Sequence, residues 1–392
     1  EGGSKNRIWT SVLTVRGGGS GNRGGAIEKS DKKDWERHMQ NKLASNLGRL
    51  AGAAAIAFSV MFSAALAEDY PKMNMKVAHA LPETYVWSEQ VDKWFFSELE
   101  KRTNGQVTAQ IFWNGSLVGP KQVFDAVGSG AVPMGADAQG YYPAALPLNT
   151  MPNSLLGTLT YANSKQASIL TREVFEKFPE MQEEWKALGV WPLYFNAVPS
   201  FRVACTEPVA KVEDLKGKKI RQFSAYHPKV WEAVDAVGVT VLPAEIYEGL
   251  QRGRIDCVFY NYSAIVSQKM YEQAKFVSKA SFGAGSTWPL VVNYDLYFNK
   301  WPESLRNVVA ELAKEAEQRS VEVAEREEVK ALEAMKERNV NLVEFSDEEQ
   351  AKLEEKLPDF IEIWVEQQKG TDRYEVAQRV GEYIKKRSEE LK

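Results

Sequence analysis

The chain has 392 residues, 44% apolar and 26% charged, a composition of soluble globular proteins with room for a sizeable core and two or three domains. Its formal net charge of −4 offers no clustered basic face, so nucleic acid is excluded as an expected partner. Three histidines and two cysteines leave no histidine-rich metal site, and neither a metal nor a cofactor is expected.

Residues 1–38 precede the first methionine, Met39, and read as a disordered upstream extension. Within them Gly19-Ser20-Gly21-Asn22-Arg23-Gly24 spells the GxGxxG fingerprint, but it leads into charged residues instead of opening a helix, and is assigned to chance. Residues 39–67 read as a signal peptide: Lys42 and Arg49 precede an uncharged run that closes on Ala65-Leu66-Ala67 before Glu68-Asp69. A membrane anchor is the competing reading, since an uncharged run from Leu50 to Ala67 just suffices to span a bilayer. No cysteine follows the cleavage site, so no lipid anchor is expected.

The remainder opens β-α-β. A strand is predicted over 75–80, then a helix over 84–103 with Trp87, Val91, Trp94, Phe95 and Leu99 on one face, a stop at Asn104-Gly105, and a strand over 107–113. Further helix-then-strand pairs give an α/β class with a substantially parallel sheet. Residues 123–134 and 246–257 resemble each other: each ends a helix, supplies Gly130 or Gly253 for a left-handed cap, and enters a short apolar strand. Two similar lobes are one reading, and two uses of a common turn the other. Residues 302–339 read as one long charged helix whose apolar positions keep no strict heptad, so it packs across the protein in preference to a coiled coil. A strand over 340–345 and the capping box Ser346-x-x-Glu349 open a C-terminal helical section.

Catalytic signatures are missing: there is no phosphate loop, G-x-S-x-G elbow, H-E-x-x-H pair or C-x-x-C pair. His79, in a predicted strand, and His227, in a turn before Pro228, read as structural or ligand-contact residues, and no catalytic residue is named. Cys205 and Cys257 lie in predicted strands of an exported chain, where a disulfide between them is expected and two separate buried thiols are the alternative.

Three motifs in order carry a family likeness. They are Phe201-Arg202, then Val212-Glu-Asp-Leu-Lys-Gly-Lys-Lys-Ile-Arg221, then Val239-Thr-Val-Leu-Pro-Ala-Glu-Ile-Tyr-Glu-Gly-Leu-Gln-Arg-Gly-Arg-Ile-Asp256. Together they resemble the dicarboxylate-binding type of solute-binding protein of tripartite ATP-independent periplasmic (TRAP) transporters, with a looser likeness over 75–335. The resemblance implies a two-lobed α/β periplasmic binding protein with a ligand cleft, hinge strands and a long helix spanning both lobes. On that plan residues 70–200 begin lobe I, 201–281 form lobe II, 282–322 return to lobe I, and 323–392 hold the spanning helix and a C-terminal section on lobe II. It also implies a periplasmic location, a small organic anion as ligand, and a small and a large TRAP membrane subunit as partners.

Arg221 matches the family arginine that receives the substrate carboxylate, and a planar guanidinium fork suits that task as lysine does not. Arg202 matches a second arginine that reaches the cleft, with a structural ion pair as its alternative. After Asp256 the family's G-Q-E-N-P is replaced by Cys257-Val258-Phe259-Tyr260-Asn261, so Tyr260 stands where an Asn faces the ligand and Asn261 where a Pro stands. Either side chain is a candidate for the second polar contact, and the change suggests a ligand other than the commonest dicarboxylates and sugar acids. Loops at strand ends add Glu83, Tyr85, Trp87, Gln139, Tyr141, Ser286, Thr287 and Trp288, and the E-I-Y motif adds Tyr247. No enzymatic activity is expected, although a secreted α/β enzyme acting on an organic acid and a periplasmic sensor subunit remain as rival readings.

Overall fold

A computed structural model describes residues 70–391. The expected extension, its glycine run and the expected signal peptide lie outside the described residues.

Two sheets carry the fold. The first runs in the order β2-β1-β3-β10-β4, from β1 (Met73–His79), β2 (Val107–Phe112), β3 (Met134–Ala136), β4 (Val190–Val198) and β10 (Gly285–Asn293). The second runs β11-β9-β5-β8-β6-β7, from β5 (Arg202–Cys205), β6 (Lys219–Gln222), β7 (Val237–Thr240), β8 (Cys257–Tyr260), β9 (Phe276–Ser278) and β11 (Asn341–Val343). Both follow one plan: three parallel strands with the first-entered one central (β2, β1, β3; β7, β6, β8), then two antiparallel pairings (β3–β10 and β10–β4; β8–β5 and β5–β9). The similar segments 123–134 and 246–257 occupy equivalent places in it. Helix Val123–Gly128 turns at Gly130 (φ 77°) into β3, and helix Ile246–Gln251 turns at Gly253 (φ 66°) into β8. β10 is buried along its whole length, which fits its run of Leu290, Val291 and Val292.

Two extended segments carry the chain between the sheets, residues 199–201 and 279–284, and they pair with each other. Phe201 N donates to Gly283 O and Phe282 N to Phe201 O, each at 3.0 Å. Gly283 has φ 85°, and a Cβ there would sit 2.9 Å from the Leu159 Cα and the Tyr161 carbonyl, so only glycine fits this crossing.

The predicted long helix spans Glu303–Glu337 and buries Leu305, Val309, Leu312, Ala316, Ser320 and Val323 at three- and four-residue spacing, with Ala331 and Met335 further on. Its Ser320 hydroxyl accepts from Ala197 N at the end of β4, while Glu328 accepts from the amides of Tyr262 and Ser263 beside the second sheet. One rigid rod therefore touches both lobes. No helix among the described residues is long and apolar enough to cross a membrane.

Two local departures have physical causes. The helix expected over 84–103 contains one π-helical turn, Ser88–Asp92, before the α-helix Lys93–Arg102, and this wider turn brings Ser88, Val91 and Asp92 all into the core. The C-terminal section does not stay on the second lobe. Helix Asp347–Lys356, capped by Ser346, does pack there, with Glu349 accepting from Val212 N, but helix Tyr374–Glu390 returns to the first lobe. Its buried face of Val376, Ala377, Val380 and Ile384 is fixed by Arg387 on Glu173 and by Gln166 Nε2 on Ser388 O. Cys205 and Cys257 face each other across β5 and β8 and are disulfide-bonded.

Candidate ligand site

Arg221 lies on β6, the central parallel strand of the second sheet, only 2% exposed. Its Nε donates to the Val241 carbonyl at 3.1 Å and its Nη1 to the Phe259 carbonyl at 3.3 Å, while the guanidinium lies 4.3 Å from the Phe223 ring centre and 5.0 Å from that of Tyr260. Among the described residues it has no carboxylate partner. Two carbonyls and two rings fix its orientation, yet neither carries a formal negative charge. A buried cation in that state stabilises the fold poorly and is poised for an anion.

The residues around it come from the ends of strands in both sheets. Tyr260 closes β8, Tyr85 follows β1, and Gln139 and Tyr141 follow β3. The Tyr85 ring lies 5.9 Å from that of Tyr260, which in turn stacks on Phe201 at 5.1 Å. Burial pushes the Tyr85, Tyr141 and Tyr260 hydroxyls above the usual tyrosine range, with Arg221 pulling each partly back, so all three are neutral donors at physiological pH. Trp288 packs edge-on against Tyr141 at 6.2 Å and has φ 53° directly before Pro289, a strained backbone held by Asn196 Nδ2 on the Trp288 carbonyl. The Thr287 hydroxyl donates to Gln139 Oε1 and accepts from Asn153 Nδ2, and Gly140 leaves room for Asn153, whose Oδ1 would lie 1.8 Å from any Cβ there. The side-chain atoms Gln139 Nε2, Asn261 Nδ2, Ser286 Oγ and Trp87 Nε1 are buried without a hydrogen-bond partner. Other buried atoms among the described residues share this state, Trp185 Nε1 and Trp364 Nε1 among them, and those beside Arg221 are the ones a ligand there could reach.

Of the residues expected at a binding site, Arg221, Tyr260, Tyr85, Gln139, Thr287 and Trp288 are thus drawn towards one region. Asn261 is only half available, since its Oδ1 caps helix Tyr262–Ser267 through Ala264 N and Ser263 Oγ and only Nδ2 is free. Arg202 lies 5.1 Å from the Tyr262 ring centre and donates from Nη1 to the Phe201 carbonyl at 3.1 Å, with no ion pair among the described residues. Glu83 is exposed and paired with Lys93, and the Tyr247 hydroxyl donates to Glu272 near the surface, so neither joins the cluster. Phe223 and Asn153 were not anticipated; an aromatic two residues after Arg221 was the one sequence signal for the former. Two surface grooves lie elsewhere, one of about 880 Å³ past Arg172 and Trp191 and one of about 1120 Å³ past Gly283 and Gln350.

Both histidines among the described residues are committed within the protein. His79 Nδ1 accepts from Leu81 N, so Nε2 carries the proton donated to Asp92 at 2.9 Å, and Asp92 accepts further from Tyr194 and Asn196. His227 Nε2 donates to the Leu156 carbonyl, and burial pushes its pKa down to about 3, which keeps it neutral.

Comparison with known proteins accords with this architecture. The model of the bacterial extracellular solute-binding proteins, family 7 (DctP), matches residues 77–368. A solute-binding protein of Albidiferax ferrireducens is 25% identical over 79% of this chain and 89% of its own length. The C4-dicarboxylate-binding periplasmic protein DctP of Rhodobacter capsulatus is 26% identical over 79% of this chain and 91% of its own. Among solved structures, the sugar acid binding protein DctPAm of Advenella mimigardefordensis in complex with galactonate shares the fold at TM-score 0.68 and 17% identity, covering 81% of this chain and 100% of that one. The chain belongs to the bacterial extracellular solute-binding proteins of family 7, the TRAP-type periplasmic receptors, and its role is to bind a solute.

Proposed function

We propose that the protein captures a small organic acid by its carboxylate at Arg221 and delivers it to the small and large membrane subunits of a TRAP transporter, after export through a cleaved signal peptide. The observation that carries this reading is the buried guanidinium of Arg221, held by carbonyls and rings and lacking any carboxylate partner among the described residues. An incoming carboxylate supplies the missing charge and accepts two parallel hydrogen bonds from the fork. The similarity to proteins named for C4-dicarboxylate and sugar-acid binding supports an acid as cargo. On this reading residues 70–200 and 282–322 make one lobe, residues 201–281 the core of the other, and the cleft between them closes on the ligand.

The protein binds its acid and releases it unchanged. Both histidines among the described residues are engaged by protein groups, and neither is positioned as a free general base. Replacing Arg221 with Met, which keeps volume and removes charge, is expected to weaken acid binding by 100-fold or more, about 3 kcal/mol by the strength of charge-assisted hydrogen bonds. Thermal unfolding should be unchanged or slightly raised, because an unpaired buried charge has been removed. Calorimetric titration that finds equal affinity for both proteins would overturn the role. Recovering the acid chemically altered would favour the enzyme reading instead.

A further inference from the structure

We propose that the ligand is a flat monocarboxylic acid, a ring or conjugated system bearing one carboxylate, in preference to a dicarboxylate or an open-chain polyhydroxy acid. This deepens the reading of Arg221 as a carboxylate clamp and rests on it.

Charge counting gives the first argument. Arg221 is the arginine whose guanidinium lies against the rings of the cluster, whereas Arg202, which also has no ion pair among the described residues, sits 5.1 Å from the Tyr262 ring centre with Nη1 on the Phe201 carbonyl. Lys121 lies 5.6 Å from the Tyr141 ring centre but is exposed, so its charge stays in solvent. A second carboxylate set among these rings, away from Arg202, would be buried with no cation beside it, an arrangement that costs several kcal/mol.

The surroundings give the second argument. Tyr85, Tyr141, Tyr260, Trp288 and Phe223 present ring faces and edges next to the guanidinium or next to one another. Such rings gain most from a flat, weakly hydrated partner. A polyhydroxy chain brings a donor and acceptors at nearly every carbon, and hydroxyls set against ring faces lose their water without replacement. The unpartnered buried atoms nearby, among them Gln139 Nε2, Asn261 Nδ2, Ser286 Oγ, Trp87 Nε1 and Tyr85 Oη, come from separate segments, so a ring with polar substituents meets one or two of them at a time.

A matched set of acids tests this on the full chain by calorimetric titration, with the Arg221→Met protein alongside. The probes are 4-hydroxybenzoate, its saturated counterpart cis-4-hydroxycyclohexanecarboxylate, terephthalate and gluconate. The expected result is that 4-hydroxybenzoate binds at least tenfold more tightly than each of the other three, and that this binding is lost in Arg221→Met. If the saturated acid, terephthalate or gluconate binds as well or better and depends on Arg221, the flat monocarboxylate class is overturned while the clamp stands. If none of the four binds, the class is overturned as well. Binding of any of them undiminished in Arg221→Met overturns the clamp and the inference together.

Discussion

His79 and Arg221 sit on corresponding central strands of the two sheets, yet their surroundings are opposite. Around His79 the charge is closed: Asp92 takes hydrogen bonds from His79, Tyr194 and Asn196, all within the first lobe. Around Arg221 the charge is open, with carbonyls and ring faces where a carboxylate is needed. A closed cluster holds a lobe together, whereas an open one waits for a partner from outside. The two kinds of buried charge therefore report different things, although both are buried and both are surrounded by aromatic residues.

Breaking the closed cluster is expected to have the largest effect on the fold. Asp92→Ala strips His79, Tyr194 and Asn196 of their common acceptor and should cost about 3–5 kcal/mol of stability, read as a lowered midpoint in urea unfolding. The Arg221→Met protein should show the reverse pattern, with affinity lost and stability kept. Arg202→Ala tests the intermediate case. Removing it takes away the Tyr262 ring contact and the weakest of the favourable influences on the buried Glu328, so stability should fall by about 1 kcal/mol while acid affinity changes by less than threefold. An Arg202→Ala protein that keeps its stability and loses binding would move Arg202 into the open cluster.

Acid pH sharpens the contrast through two buried groups of opposite sign. His227 is pushed from 6.5 down to about 3, so between those values the unfolded chain takes up a proton the native chain refuses, and stability falls as pH drops through that window. Asp137 is pushed by burial from 3.8 up to about 6, against hydrogen bonds from Tyr142, Lys121 N and Ala138 N. Between those values the native chain holds a proton that the unfolded chain has lost, so its contribution grows as pH falls. Thermal midpoints from pH 7 to 4 should decline less steeply in His227→Phe and more steeply in Asp137→Asn than in the unaltered chain. The smallest effect belongs to Glu83→Ala, which removes an exposed pair with Lys93 and should leave both affinity and melting temperature within experimental scatter.

Much of this fold could be read along the chain because its signals are local. The long helix follows from apolar spacing over 302–339, and the matched turns at Gly130 and Gly253 follow from repeated wording. Arg221 was legible through its motif, though not its lack of a counter-charge, which depends on where every acid in the chain ends up. The π-turn that brings Asp92 inward, the left-handed Trp288 and the capping role of Asn261 have no sequence period. They arise when distant segments compete for the same polar atoms. Glu83 and Tyr247 illustrate the converse: each lies at a strand end or in a motif, and each is claimed by a neighbour at the surface, Lys93 or Glu272. The return of helix Tyr374–Glu390 to the first lobe was hidden because an amphipathic helix declares that it packs, without declaring against what.

The two segments that pass between the sheets are bonded to one another at Phe201, Phe282 and Gly283. A pair of bonded strands bends readily about one line in its plane and resists shear and twist. On the proposed role, closing of the lobes would bend the protein at this paired crossing, beside the long helix that contacts both lobes. On the proposed transport role, a membrane subunit that touches both lobes would sense loading through the distance between them, without contacting the cargo.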